Sequence, residues 1–226
     1  MAGEKDFGRS CIDCGTMGCA FGGPFPKFCL TTNKDENPIE KEALEEALAT
    51  YDNNPEDKKI MQMAALVEYE NYGVFTRVQE IIDFCRRMGF KKVGIATCIG
   101  LIKEAQIAAR IFRNAGLEVF GQSCKAGMIP KSRFDIPEKC NAVGADICNP
   151  IFQAKHINKL GTELNVIVGL CVGHDSLFYK YSEALCTTLI TKDRVTGHNP
   201  AAALYTEYSY YKKKFMQQAA SEPKND

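Results

Sequence analysis

Four cysteines near the start of the chain have the residue type and spacing to bind a metal. They lie in the stretch CIDCGTMGCAFGGPFPKFC, at Cys11, Cys14, Cys19 and Cys29, with the spacing C-x2-C-x4-C-x9-C. Glycine and proline separate the cysteines, and no regular apolar pattern runs through the stretch, so side-chain packing alone would hardly hold one shape. The sequence therefore predicts a loop wrapped around a metal that the four thiolates bind.

Two kinds of metal centre use four thiolates, and the spacing leaves both open. A tetrahedral zinc site usually pairs two short C-x2-C knuckles, whereas this stretch has one, at Cys11 and Cys14. Iron–sulfur clusters tolerate uneven spacing, although C-x2-C-x4-C is not the familiar ferredoxin run. We expect an iron–sulfur cluster here, with zinc as the alternative.

A second group of cysteines follows predicted strands. Cys98 comes after KVGIAT, Cys124 after EVFGQS and Cys148 after GADI, while Cys171 ends the apolar run NVIVGLC. Because the carboxyl ends of parallel strands meet at one edge of a sheet, these four cysteines are predicted to converge in the crevice there. The alternative is that they are scattered core residues, since cysteine is a small hydrophobe that is common in protein interiors.

Neighbouring residues favour thiolates at this edge. Pro150 suits the first position of a helix, which would place Cys148 at a helix N-terminus, where the dipole lowers a thiol pKa. Lys125 follows Cys124 directly and could pair with it. His174 and Asp175 could contact a substrate or deliver protons, or could be ordinary loop residues. Cys148 or Cys171 as the nucleophile of a thiol enzyme is a weaker hypothesis.

The remaining cysteines and histidines have simpler interpretations. Cys85 lies on the apolar stripe of a predicted helix, which indicates core packing. Cys186 falls within a predicted strand, and Cys140 has no paired cysteine nearby. His156 and His198 are isolated and are interpreted as structural or exposed residues rather than ligands.

Composition sets limits on class and location. The 28 Lys and Arg residues balance the 28 Asp and Glu residues, so no basic surplus indicates nucleic acid or an anionic membrane as a partner. Residues 1–10 carry four charged side chains and no apolar core of a leader peptide, which predicts a cytoplasmic protein. In that reducing compartment, a cysteine cluster indicates metal binding or redox chemistry rather than disulfides.

Strand and helix patterns alternate from Lys91 onward. Short apolar runs predict strands at 91–97, 117–123, 145–148, 164–172 and 184–192. Helical spacing predicts helices at 39–51, from 55 to 88 with a break near Gly73, and at 101–115, 138–144, 150–160 and 199–208. This alternation predicts an α/β fold with a doubly wound, flavodoxin- or Rossmann-like parallel sheet.

Three regions follow from these elements. Residues 1–36 form the predicted Cys-rich metal loop, and residues 37–210 form an α/β three-layer domain with helices at its start. Residues 211–226 are predicted to be a frayed tail. Common catalytic and nucleotide-binding motifs, among them G-x-G-x-x-G after a strand, G-x-x-x-x-G-K-[ST], H-E-x-x-H and G-x-S-x-G, do not occur in the chain.

Several segments together resemble an uncharacterised group of Cys-rich prokaryotic proteins, classed as a domain of unknown function and often labelled metal-binding or zinc-binding. The matching segments are CIDCGTMGC, NYGVFTRVQEIIDFCRRMGFKKVGIATCIGL, CNPIFQAKHIN, LNVIVGLCVGHDSLFYKYSEAL and KDRVTGHNPAAALY. The resemblance implies that the N-terminal cysteines bind metal, and it implies no reaction. It marks as motif positions Cys98, Cys124, Cys148, Cys171, His174, Asp175, Lys192, Asp193, Arg194, His198, Asn199 and Pro200.

Two hypotheses of different class follow. The first is an iron–sulfur protein with one centre at the N-terminal cysteines and a second at or near the sheet edge, which transfers electrons or reduces a small molecule. Its partner would be a redox protein or a small molecule. The second is a non-catalytic zinc protein with a structural zinc loop and a sheet edge that binds a ligand or a partner.

Overall fold

A computed structural model describes residues 10–29 and 38–220 of the chain. The chain divides into two compact units, Met1–Gln62 and Met63–Asp226. The division falls inside one helix, Pro55–Asn71, whereas the sequence placed a domain boundary at residue 36. Residues 30–37 lie outside the described part of the chain, so that boundary stays a prediction.

The first unit holds short turns and then helices. A 3-10 turn covers Cys11–Asp13 and the one-turn helix α1 covers Gly18–Phe21; α2 covers Pro38–Asn53 and α3 covers Pro55–Asn71. Asn54 separates α2 from α3, and its side-chain oxygen accepts hydrogen bonds from the backbone N–H groups of Glu56 (3.0 Å) and Asp57 (3.3 Å). Asn54 therefore caps α3, with proline in the first turn as the sequence predicted.

The second unit is built on a four-stranded sheet. Its strands are β1 (Lys92–Thr97), β2 (Glu118–Ser123), β3 (Leu164–Val168) and β4 (Leu185–Ile190), in the order β2-β1-β3-β4. All neighbours pair in parallel, and Val93 on β1 aligns with Val119 on one side and Leu164 on the other. Helices lie on both sides of the sheet, so the predicted α/β fold is confirmed.

Helices connect and flank the strands of this unit. They are α4 (Arg77–Met88), α5 (Ile102–Asn114), α6 (Pro150–Lys159), α7 (His174–Tyr181), α8 (Ala201–Tyr205) and α9 (Lys212–Ala220). Thr76 starts α4, and its backbone N–H donates to the Gln79 side chain at 3.0 Å. Gly89 ends α4 with a φ of 84°, a left-handed conformation that glycine adopts without steric cost.

The core lies between the sheet and its helices. Phe112 on α5, Ile157 on α6 and Phe178 on α7 are fully buried, as are the central strands β1 and β3 beyond Lys92. One polar side chain, Asn165, is buried within β3. It accepts a hydrogen bond from the Thr162 hydroxyl and donates to Ser182, both at 2.8 Å, which satisfies its amide in the apolar interior.

Gly94 shows how tightly β1 packs. A Cβ added there would lie 2.2 Å from Asn165 Oδ1 and 2.5 Å from Ile157 Cγ2, and both neighbours are fully buried. We expect Gly94→Ala to lower the free energy of unfolding by about 1–3 kcal/mol through overpacking. Chemical denaturation measures this effect.

The matched control is Gly121→Ala on the adjacent strand β2. There the nearest atom to an added Cβ is the Ile95 carbonyl oxygen at 3.8 Å, an ordinary contact. Gly121→Ala should leave stability unchanged or raise it slightly. Equal stabilities for the two variants would show that β1 can shift to accept the methyl group.

Four details differ from the sequence predictions. The strand predicted at 145–148 is wrong, because Asp146 forms only an isolated antiparallel bridge with Pro130. Strand β3 ends at Val168 rather than at residue 172, because Gly169 turns the chain with a φ of 68°. Helix α7 was not predicted; burial of Phe178 holds it in place. Residues Lys212–Ala220, predicted to be frayed, form the helix α9, and their Lys, Met, Gln and Ala residues favour helix.

Candidate functional site

The four N-terminal cysteines surround one small cavity. Cys11, Cys14, Cys19 and Cys29 all line a space of about 90 Å³, together with an apolar wall that includes Met17, Phe25 and Phe28. Two of these cysteines are exposed and two are half-buried. The four cysteines therefore border the same small space, and their role as metal ligands stays a prediction.

Local backbone geometry explains how this loop closes. Met17 has a left-handed backbone, with a φ of 46°, and precedes Gly18 at the start of α1. Gly18 is buried, and a Cβ there would lie only 2.7 Å from the Pro24 carbonyl oxygen, so only glycine allows the two segments to approach. Cys14 lies 3.5 Å from the Thr16 hydroxyl oxygen. That hydroxyl, followed by the backbone N–H groups of Thr16 and Met17, lowers the pKa of the Cys14 thiol.

At the sheet edge, three thiols share hydrogen bonds. Cys98 follows β1, Cys124 follows β2, and Cys148 precedes α6. Cys124 is only 2% exposed, and its sulfur also accepts the Ile99 N–H at 3.4 Å. Hydrogen bonds from Cys124 lower the pKa of Cys98 to about 5 and that of Cys148 to about 4, whereas the pKa of Cys124 itself is raised. The shared hydrogen bonds therefore favour the thiolate form of Cys98 and Cys148 and the protonated form of Cys124.

Basic side chains contact the sulfurs of Cys98, Cys171 and Cys148. Lys192 Nζ donates to Cys98 Sγ at 3.5 Å, and Arg194 Nη2 donates to Cys171 Sγ at 3.1 Å. His174, at the start of α7, hydrogen-bonds to Cys148, which raises the pKa of the imidazole. After the hydrogen bonds from Cys124, Lys192 and His174 further lower the pKa of Cys98 and Cys148, which favours the thiolate, the form in which cysteine binds metals and acts as a nucleophile.

The loop after β4 presents Lys192 and Arg194 to the sulfurs. The Asp193 carboxylate between them accepts the backbone N–H groups of Val195 (2.8 Å) and Thr196 (3.0 Å). The His198 ring closes the same turn, since its Nδ1 accepts the Asp193 N–H at 3.1 Å. Asp193 and His198 are therefore positioning residues, and His198 has the structural role that the sequence indicated.

A crevice of about 460 Å³ opens above the sheet-edge thiols. Cys98, Cys148, Cys171, Lys125 and His174 line it. Cys124 does not line the crevice, but its thiol is hydrogen-bonded to Cys98 and Cys148, which do. The structure therefore brings together the four cysteines that were predicted to converge. Asp175 does not line the crevice; its carboxylate accepts the N–H of Ser176 at 2.8 Å in the first turn of α7.

The position of this crevice follows from the strand order. β1 connects to β2 on one side, and the chain then returns to β3 on the other side of β1. In open parallel sheets, ligands bind outside the carboxyl ends of the strands at such a reversal. Cys98 follows β1, and Cys171 lies three residues after β3 ends at Val168, so both flank this point.

No group of three or more His, Cys, Asp or Glu side chains in residues 10–29 and 38–220 is placed so that it could hold a metal ion. The donor chemistry nevertheless suits a thiolate-bound centre, because the four N-terminal cysteines line one cavity and Cys98, Cys148 and Cys171 line another. The assignment of the eight cysteines as metal ligands, and of Lys125, His174 and Asp175 as substrate contacts, stays a prediction.

The other cysteines are separate from both groups. Cys85 is fully buried on α4, and burial raises the pKa of its thiol to about 12, in agreement with the predicted core role. Cys186 is half-buried on β4, and burial raises its pKa as well. His156 stacks on Phe152 with 5.7 Å between ring centroids.

Two residues of the site region were missed by sequence reasoning. Gln153 on α6 is fully buried, and its amide donates to the carbonyls of Thr97 (3.1 Å) and Gln122 (2.7 Å), which fixes the ends of β1 and β2. Lys131 is 8% exposed and lines the crevice. Both lie in segments whose position depends on tertiary packing, and the sequence carries no local signal for it.

Fold and site together define a doubly wound α/β protein with a cysteine-lined crevice at its switch point. Residues 35–189 match the family described as protein of unknown function (DUF1847), and the chain belongs to that family. An uncharacterized protein of Methanocaldococcus jannaschii is 44% identical over 191 residues, which cover 84% of this chain and 95% of that relative. The family description and the relative's name state no metal, cofactor or reaction, and the family match begins after the N-terminal cysteines.

Within the described residues, no helix is both long enough and apolar enough to cross a bilayer.

Proposed function

We propose that this protein is an iron–sulfur protein that transfers electrons or reduces a small molecule. Cys11, Cys14, Cys19 and Cys29 hold one cluster. Cys98, Cys124, Cys148 and Cys171 hold or contact a second centre. The observation that carries the proposal is that the four N-terminal cysteines line one cavity, while three of the sheet-edge cysteines, far apart in sequence, line another and the fourth, Cys124, is hydrogen-bonded to two of them.

Cavity size supports a cluster in the N-terminal loop. A single zinc ion binds four thiolates at about 2.3 Å and leaves no room between them. The N-terminal cysteines instead surround about 90 Å³, which is more than a single ion or water molecule occupies. A centre with several metal ions and bridging sulfides fills such a space better.

Charge supports a thiolate centre at the sheet edge. Lys192 and Arg194 donate hydrogen bonds to Cys98 and Cys171, and hydrogen bonds to sulfur ligands tune the reduction potential of iron–sulfur clusters. A cluster supplies one-electron transfer when it is bound. His174 lies beside Cys148 and the crevice, where it can give a proton to a reduced substrate or take one from it.

Location and partners belong to the same proposal. A reducing cytoplasm keeps thiols available for metal, so we place the protein there. The electron donor is a redox protein, and the acceptor is a small molecule bound in the crevice. Nucleic acid and membrane are not partners in this scheme, since the formal net charge is zero.

A zinc protein without catalysis is the alternative function. The short Cys11-x2-Cys14 segment, with the Thr16 and Met17 amides directed at the Cys14 sulfur, supports it because zinc knuckles use such segments. Metal analysis of the chain purified without oxygen separates the two functions. Iron with acid-labile sulfide supports the cluster, whereas stoichiometric zinc without sulfide refutes it.

A further inference from the structure

We infer that the crevice binds a small organic anion with an apolar body, such as an aliphatic carboxylate or phosphate ester. This deepens the proposed function, because it names the substrate class for the reductive site at the sheet edge. The inference depends on three observations: a buried ammonium group without a counter-charge, a lining without carboxylates, and an exposed apolar wall.

The buried ammonium group is that of Lys131. Its side chain lines the crevice, the residue is 8% exposed, and its Nζ donates to the main-chain carbonyl of Cys140. In the described part of the chain, the ion pairs involve other side chains and leave Lys131 without a carboxylate partner. A buried charge is costly unless an opposite charge meets it, so a ligand anion would relieve this cost.

The loop that carries Lys131 is held firmly in place. The backbone N–H of Lys131 donates to the Ala145 carbonyl at 3.0 Å, and the N–H of Ile147 donates to the Ile129 carbonyl at 2.8 Å. Pro130 and Asp146 form the antiparallel bridge between the same segments. The ammonium group is therefore positioned at the crevice by the main chain rather than by chance side-chain placement.

The other basic side chains of the lining contact main-chain carbonyls or cysteine sulfurs. Lys125 lines the crevice, and its Nζ donates to the Asp146 carbonyl, so it too contacts a neutral main-chain group. Arg194 is bound to the Cys171 sulfur and Lys192 to the Cys98 sulfur. No Asp or Glu is among the described residues of the lining, where the acidic groups are cysteine thiols. Lys125 also helps to lower the pKa of the Cys148 thiol, so Lys131 is the first cation available to a ligand and Lys125 the second.

An apolar wall faces these lysines. Ile99, Phe134, Val143 and Leu177 line the crevice, and each leaves a large part of its side chain exposed, from 37% for Leu177 to 83% for Val143. Apolar side chains collected around one polar recess are typical of small-molecule sites. The ligand would place its anionic head at Lys131 and its hydrocarbon part along this wall.

Calorimetry with matched probes tests the inference on the full chain purified without oxygen. Hexanoate and hexyl phosphate carry the predicted charge, while hexanamide and hexylamine have the same chain without it. We expect at least one anion to bind about tenfold or more tightly than either control, because a hydrogen bond to a charged group contributes about 1.5–3 kcal/mol. Added salt should weaken that binding.

Lysine substitutions test whether the anion binds in the crevice. Lys131→Met and Lys125→Met should each weaken hexanoate or hexyl phosphate binding about tenfold, again because one charged contact is lost. Lys103→Met, which removes an exposed lysine of α5 outside the crevice, should leave it unchanged. If Lys131→Met does not fold, the Lys125→Met variant and the comparison of the anions with hexanamide and hexylamine still test the inference. The inference is overturned if neither hexanoate nor hexyl phosphate binds more tightly than hexanamide and hexylamine.

Iron and sulfide measured in the same samples keep the two proposals separable. A colourless protein that prefers hexanoate to hexanamide would refute the cluster and support the anion site. A brown protein that binds no anionic probe would support the cluster and refute the anion site.

Discussion

Cys14→Ser is expected to remove the iron and acid-labile sulfide of the N-terminal centre. Cys14 is one of four cysteines around a cavity of about 90 Å³, and hydrogen bonds from Thr16 and nearby amides favour its thiolate. A serine hydroxyl is a hard oxygen donor that stays protonated at neutral pH, so it replaces a thiolate ligand poorly. Iron and sulfide per chain, measured after purification without oxygen, should both fall.

Cys140→Ser is the matched control for this change. Cys140 is half-buried and belongs to neither cysteine group; only its main-chain carbonyl contacts Lys131. Its replacement should leave the metal content unchanged. If Cys14→Ser keeps the full iron and sulfide content of the wild-type protein, the N-terminal loop is not a cluster site.

Cys148→Ser is expected to abolish the sheet-edge centre while the N-terminal centre remains. Cys148 shares hydrogen bonds with Cys124 and His174 and lines the crevice. Because the N-terminal cysteines line a cavity of their own, the losses from Cys14→Ser and Cys148→Ser should be independent. The double variant should then lose the sum of the two single losses.

The comparison of single and double variants also decides whether the eight cysteines form one centre or two. If Cys14→Ser and Cys148→Ser each remove all of the iron and sulfide, both cysteine groups serve one centre, and two separate sites are excluded. Circular dichroism of each variant checks that the fold is kept.

The fold could be predicted because buried parallel strands leave a plain signal. KVGIAT and LNVIV are short apolar runs bounded by glycine and charge, and they became the buried strands β1 and β3. Cys98 and Cys124 directly follow their strands, so their position at the sheet edge follows from strand direction alone. The four N-terminal cysteines lie close together in sequence, which likewise explains why they line one cavity.

Other parts of the site depend on long-range packing that no local pattern encodes. Lys131 reaches the crevice because the segments around Pro130 and Asp146 pair with each other, at a point where the sequence predicted a strand. Arg194 meets Cys171 through a turn held by the Asp193 carboxylate. Gln153, a polar residue in an amphipathic helix, gave no sign that it would be fully buried.

The most direct test of the central claim is the absorption spectrum of the wild-type chain purified without oxygen, recorded before and after addition of dithionite. An iron–sulfur protein should be brown, with a broad band near about 400 nm that loses intensity on reduction. A colourless protein without that band, carrying zinc or no metal, would contradict the account.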